Sequence, residues 1–157
     1  MKYSILCVVI LFLIAAVIVC GQDIKPPGTI SGDDWKFISA KDGIIHFYHT
    51  PSIMFMDKDI ATIWSKKSFT HDGKKKYIGE IREGWKGKQE DIDKIDFEFG
   101  FYEVHCHTRE FRPLTIFYFD REGNMIYRKY ATEREPLKPV MPGTELGDIY
   151  PIICKKK

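Results

Sequence analysis

The sequence predicts an α+β domain: an antiparallel sheet of about five to six strands, a central helix and a short C-terminal helix, closed by one disulfide. Three observations predict it. Residues 96–130 are rich in aromatic and β-branched types, and apolar and polar side chains alternate along much of the stretch. That is the period of strands half-buried on a sheet. Helical spacing appears at residues 74–82 and again after Thr144. An apolar N-terminus marks the chain for export, and beyond it two cysteines remain, Cys106 and Cys154.

The strands are most legible in the central stretch. Phe97, Phe99 and Phe101 point to one face, and Tyr102, Val104 and Cys106 to the other. Gly100 marks a bulge or a close backbone approach. Pro113 has no amide proton, so the next strand starts after it or bends there. A turn at residues 120–124 leads into a strand over 125–130. Upstream, Asp42-Gly43 suits a hairpin turn between strands at 35–39 and 44–48, because both residues tolerate positive φ. Pro51-Ser52 turns the chain, residues 60–65 form a third strand, and Thr70-His71-Asp72-Gly73 reads as a polar turn. Phe97, Phe99, Phe101, Phe117 and Phe119 are read as core beneath the helix, with an apolar groove as the other reading.

In the helix over 74–82, Tyr77, Ile78 and Ile81 share one stripe, while Lys75, Lys76 and Glu80 face water. Gly79 weakens this helix and Gly84 ends it. Residues 85–93 are polar and glycine-spotted and read as a loop. Near the C-terminus Thr144 is an N-cap, and Leu146 and Ile149 share a face. Pro151 is expected to interrupt this helix after about two turns.

Met1-Lys2-Tyr3 is positively charged, Ser4 to Cys20 is almost wholly apolar, and polarity begins at Gln22-Asp23. This is a secretory pattern. The organisation expected is a signal over 1–21, a linker over 22–34 and one folded domain over 35–157. Cys20 sits where a bacterial lipoprotein would be cleaved and acylated, but Val19 occupies the position that usually holds a small residue. Lipidation at Cys20 and ordinary cleavage nearby, for instance after Gly21, both stand, as does an uncleaved anchor. Cys7 lies inside the signal and Cys20 is lost or lipidated. Cys106 and Cys154 are then an even pair in an oxidising compartment, and a disulfide between them is expected.

The formal net charge is +2 on 157 residues, which argues against a nucleic-acid partner. The lysine runs at 74–76 and 155–157 read as solvated charge rather than a polyanion or membrane contact. There is no Gly-x-Ser-x-Gly elbow, phosphate loop, dinucleotide fingerprint or His-Glu-x-x-His, so neither an enzyme nor a cofactor is expected. His105 and His107 are two apart on a strand and share a face, with His46 and His49 as further ligands of a metal. A pair without a third ligand is a weak site, and exposed strand histidines are the preferred reading. The sheet face bearing Glu103, His105, His107 and Arg109 is expected to be open. With Lys75 it is the candidate contact surface.

The order and spacing of several short motifs add a resemblance. Tyr77-Ile78-Gly79-Glu80-Ile81-Arg82, then Tyr102-Glu103-Val104-His105-Cys106, Arg109 and Arg112, then Tyr118-Phe119-Asp120-Arg121-Glu122-Gly123, Pro139-Val140-Met141-Pro142-Gly143-Thr144 and Cys154 together resemble the bacterial surface-adhesin protein E family over about residues 34–154. The resemblance implies an exported, often lipid-anchored domain in the periplasm or on the outer surface, and binding to an extracellular or envelope macromolecule. A homodimer is among the assemblies left open. The resemblance supplies no catalytic residues. The alternative is a periplasmic small-ligand or metal-binding protein.

Overall fold

The computed structural model describes residues 25–27, 32–131 and 135–154. The N-terminal apolar run, Cys20 and the signal boundary lie outside them. No helix among the described residues is long and apolar enough to cross a membrane.

Trp35 opens β1 (Trp35–Lys41), which turns through Asp42 and Gly43, at φ 54° and 76°, into β2 (Ile44–His49). Two consecutive residues at positive φ make the tight hairpin anticipated for Asp-Gly. A single 3-10 turn over Thr50–Ser52 then leads to β3 (Met54–Asp57), a short strand on the edge of β4 (Ile60–Phe69). β4 runs four residues beyond its expected end at Ser65. Lys66 and Lys67 look like a strand terminus, but Lys67 finds a carboxylate on the neighbouring strand and pairing continues to Phe69. The first described helix, α1 (His71–Ile81), starts three residues earlier than expected. Thr70 is its N-cap, accepting from the Gly73 amide at 3.2 Å, so the supposed polar turn is the helix's first turn. Gly73 packs against Gly43, where a Cβ would meet the Gly43 carbonyl. The supposed loop after α1 contains a 3-10 helix, Gln89–Lys94, anchored by the buried side chains of Trp85 and Ile92.

β5 (Phe97–His105), β6 (Glu110–Phe119) and β7 (Met125–Tyr130) form the meander expected from the alternation. β6 runs through Pro113. The β5–β6 register slips between Phe101 and Tyr102, opposite Pro113 and Thr115, so the proline bends the strand rather than starting it. Gly100 is not the bulge. It is a close-approach site, where the Tyr102 side chain lies over the backbone in the space a Cβ would take. A two-residue strand, β8 (Lys138–Pro139), joins the other end of β6. The sheet has eight strands, with the order β1-β2-β4-β5-β6-β7 along its main path and every described pairing antiparallel.

α2 (Glu145–Cys154) continues through Pro151, against expectation. Proline removes one amide and crowds the carbonyl of Gly147, four residues back, but the last turn is held from outside. Ile149 and Ile153 are fully buried, the Tyr150 hydroxyl donates to the Cys106 carbonyl at 2.5 Å, and Cys154 is bonded to Cys106.

The two faces of the sheet differ. One packs α2 over Ala61, Ile63, Tyr102 and Val104, and α1 with Trp85 over Phe69, Ile116 and Tyr118. The other carries Trp64, Phe99, Phe101 and Phe117, flanked by Trp35, Phe97, Leu114 and Phe119. The phenylalanines are core, but not core beneath a helix. They have the opposite strand parity to Tyr102 and point away from α1 and α2. Their rings pack on one another: Trp64 stacks on Phe101 at 4.9 Å, while Phe99 meets Phe119 and Trp35 meets Phe99 edge to face, each at 5.4 Å. β1 and β5 are three strand spacings apart, about 14 Å in a flat sheet, so the last contact requires the sheet to curl toward its aromatic face.

Candidate functional site

Between the two apolar patches on the helix-bearing face, the sheet is left with charge. Lys67 of β4 stands 2.7 Å from Glu98 Oε1 on β5 and 3.2 Å from Glu145 Oε2 in the first turn of α2. Glu98 is 2% exposed, and the Tyr77 hydroxyl of α1 donates to its other oxygen. His46 of β2 places Nδ1 3.7 Å from Glu145 Oε2, beyond hydrogen-bond length. Glu145 Oε1, His46 Nδ1 and Ser65 Oγ are buried without a hydrogen-bond partner. Buried charge is costly unless paired, so this cluster of facing groups is the most unusual chemistry in the fold.

Lys67 and Glu145 hold each other ionised. Burial pulls the Lys67 amine down, but Glu145 and Glu98 outweigh it and keep the amine well above its ordinary range. Burial pushes the Glu145 carboxyl up, and the Lys67 ammonium and His46 overturn that and hold it at about 2. For Glu98 burial prevails over Lys67, and its carboxyl is raised. The Tyr102 hydroxyl is raised by burial and stays a donor.

His46, Lys67, Tyr102 and Glu145 of this cluster line the floor of a cleft of about 790 Å³ between α1 and α2, with Glu98 beneath them. Ile44, Phe111, Pro113, Ile116, Met141 and Leu146 form apolar walls. Lys41, Lys76 and Lys138 stand among its lining residues, Lys76 paired with Asp42 at 2.8 Å. A concave, mostly apolar site with a few converging polar groups is the usual form of a ligand pocket.

The residues expected from sequence fall elsewhere, and they do not form one surface. Cys106 and Cys154 are joined, as expected, and tie the end of β5 to the end of α2. Cys20 is outside the described residues. Glu103 and His105 share a face with the aromatic rings and are half-buried, not open. Glu103 is bound by His105 at 2.6 Å and by Arg112 at 3.0 Å. Burial opposes the Glu103 charge, and these partners more than offset it, holding the carboxyl low. His107 is not on the strand with His105 but exposed in the turn at 106–109. Arg109, at φ 58°, lies 5.2 Å over the Tyr150 ring of α2. Lys75 is exposed on α1, beside a second depression of about 550 Å³ in which Lys74 and Arg121 hold Asp96 and Arg82 holds Asp93. His46 is in the cleft and the His49 ring lies tilted against Trp35 at 5.0 Å, so the four histidines are dispersed. Among the described residues no three His, Cys, Asp or Glu side chains are placed to hold a metal.

Sequence reasoning missed Lys67, Glu98, Tyr102 and Glu145 as site residues, and offered His46 only as a metal ligand. One signal was present: Glu98 interrupts Phe97-Glu98-Phe99-Gly100-Phe101, and a carboxylate inside an aromatic strand needs a buried partner.

No family model matches the chain, and no curated protein matches it. Among solved structures, the chain is similar to crystal form II of Haemophilus influenzae protein E, with 11% identity and a TM-score of 0.47 over 86% of this chain and 97% of that one. It is also similar to protein E from non-typeable Haemophilus influenzae, with 11% identity and a TM-score of 0.49 over 84% of this chain and 82% of that one. These structures bear the same protein name as the family that the sequence motifs resemble.

Proposed function

We propose that the domain is an exported, non-catalytic binding module of the cell envelope that engages an extracellular or envelope macromolecule, with the cleft between α1 and α2 as its principal contact. The observation that carries this reading is the mutual locking of Lys67 and Glu145. A nucleophilic lysine needs a lowered pKa and a general acid or base needs one near the working pH. Here the amine is driven up and the carboxyl down to about 2. Groups so committed to each other are not poised to exchange a proton with a substrate near neutral pH. Export rests on the N-terminal sequence, with processing between about Val19 and Gln22 and acylation at Cys20 as its lipid-anchored form.

Of the residues expected from sequence, the exposed His107 and Arg109 in the turn after β5 remain a proposed secondary contact, and Lys75, Glu103 and His105 stand apart from them. A second reading, a small-ligand protein, is favoured by the cleft itself, whose volume of about 790 Å³ falls in the range of small-molecule sites.

The test is retention on immobilised envelope and extracellular-matrix fractions. Met141→Arg, at a cleft residue that is 55% exposed, is expected to abolish retention without lowering the melting temperature. Lys75→Glu and Arg109→Glu are expected to weaken it less. Reproducible turnover of a small substrate, abolished by one point mutation in the cleft, would overturn the proposal.

A further inference from the structure

The fold divides the lysine run at 74–76. Lys76 lies in the cleft and pairs with Asp42, while Lys74 and Lys75 line the depression of about 550 Å³ on the other flank of α1. Arg82 of α1 and Arg121 of the β6–β7 turn complete its cations, against the carboxylates of Asp93 and Asp96. Asp96 serves two of them, with Lys74 Nζ 2.7 Å from one oxygen and Arg121 Nε 3.1 Å from the other. Arg82 holds Asp93 at 2.7 Å, and Lys75 has no ion-pair partner among the described residues. Four cations therefore face two carboxylates, which leaves two positive charges over, and the lining histidine, His71, subtracts nothing from them. The donors are open to solvent: the Arg121 side chain is 83% exposed and that of Arg82 49%. Asp72, Glu83 and Glu122 adjoin the cations in the chain but do not line the depression.

Three features narrow the ligand. The first is the size of the excess. A phosphate monoester carries about −1.5 to −2 near neutral pH on three acceptor oxygens, whereas a carboxylate, a sulfate ester or a phosphodiester carries a single charge. The second is the readiness of the donors. Arg121 uses Nε on Asp96, so both terminal nitrogens of its fork are left to meet two oxygens of one phosphoryl group. Asp96 already orders Lys74 and Arg121, so a ligand that binds them costs less side-chain freedom. The third is Gly79. It sits inside α1, where glycine is a poorer helix former than alanine, yet a Cβ there would meet no atom within 4 Å. Packing does not require this glycine, but it lines the depression, and bare backbone lets a ligand come close.

We propose that this depression binds a phosphate monoester, with the phosphoryl oxygens on Arg121, Lys74 and Lys75 and the carbon skeleton against Gly79, Ile78 and Phe69. The monoester comes either from a free phosphorylated small molecule or from a lipid headgroup, and both present the same dianion. The site is separate from the cleft, which lies on the flank of α1 that carries Lys76, Tyr77 and Glu80. Binding here neither needs nor excludes a contact in the cleft.

The exported protein, purified as the cell makes it, is titrated by calorimetry at neutral pH and physiological salt with phenyl phosphate, phenyl sulfate and phenol. It is also floated with phosphatidylcholine vesicles that contain phosphatidic acid, a monoester, or phosphatidylglycerol, a diester. At least one of the two monoesters is expected to bind saturably, about tenfold or more tighter than its sulfate or diester counterpart, as a charged hydrogen bond implies. Binding of phenyl phosphate shows that the soluble group suffices, and binding of the phosphatidic acid vesicles alone shows that the ligand is a headgroup. Arg121→Gln changes an exposed side chain, and Gly79→Leu fills the depression where no atom stands in the way. Each is expected to weaken the monoester about tenfold or more without lowering the melting temperature. Met141→Arg, in the cleft, is expected to leave monoester binding unchanged. No binding of either monoester, equal binding of the sulfate or diester counterpart, wild-type affinity in either variant, or loss of binding through Met141→Arg would each overturn the inference.

Discussion

Replacing Lys67 by methionine keeps most of the length of the side chain and removes its charge, leaving Glu98 and Glu145 facing each other with no cation between them. Breaking a buried pair from one side costs about 3–5 kcal/mol, because the remaining charges lose their compensation while staying desolvated. A domain of this size has roughly 5–15 kcal/mol in total. At roughly 4 °C per kcal/mol, the melting temperature is expected to fall by roughly 12–20 °C near pH 7. The loss depends on pH in a direction the structure sets. In the wild type, Glu145 is held at about 2 against an ordinary 4.5, so its contribution is present above the ordinary value and disappears as pH falls through about 2. Lys67 is raised, so its contribution is complete below its ordinary 10.5 and is lost as pH rises through the folded value. Without Lys67 the two carboxyls are both raised and take up protons as the solution is acidified. The gap between variant and wild type should therefore narrow from about pH 7 to about pH 4. Thermal unfolding followed by circular dichroism at both values measures it. A variant that melts within about 2 °C of the wild type near pH 7, or a gap that widens on acidification, would refute the buried-triad argument.

Three other substitutions test the fold that positions the cleft. Cys154→Ser opens a loop with a sequence separation of 48, for which the chain-entropy model gives about 4 kcal/mol. The melting temperature should drop, with proteolysis starting in α2 rather than in the strands. Unchanged melting would mean that Ile149 and Ile153 alone hold the helix. Gly100→Ala drives a methyl into the Tyr102 side chain and should cost about 1–3 kcal/mol in urea unfolding. A neutral result would place Tyr102 elsewhere. Thr70→Ala removes the cap of α1 and should cost about 1 kcal/mol, with faster hydrogen exchange at the Gly73 amide. Unaltered exchange there would contradict the cap.

The parts legible in the sequence were those decided by neighbours in the chain. Asp42-Gly43 specifies its own hairpin, the alternation at 97–105 specifies a strand, and once Cys7 and Cys20 are read as part of a signal Cys106 has only Cys154 to bond. Thr70 was misread because an N-cap and a turn favour the same residues, and only the buried side of α1 distinguishes them. Pro151 was overweighted because its local penalty is visible while the burial of Ile153 and the tether at Cys154 are not. Parity put the phenylalanines on one face, but both faces of this sheet are apolar, and the pattern does not say which one takes the helices. The cleft was invisible for a plainer reason. His46, Lys67, Glu98 and Glu145 come from three strands and a helix and meet only after folding, so no spacing along the chain announces them.

The central claim is that this domain acts by binding through the cleft, on the helix-bearing side of the sheet. It is tested most directly by site-specific photo-crosslinking in the native cell, with a benzophenone side chain at Met141 in the cleft or at Met125 on β7, across the sheet. Both methionines are exposed, at 55% and 57%, so access does not separate them. The account predicts a discrete covalent adduct to an envelope or extracellular macromolecule from position 141 and none from position 125. An adduct from position 125 alone, or equal yields from both, would contradict it.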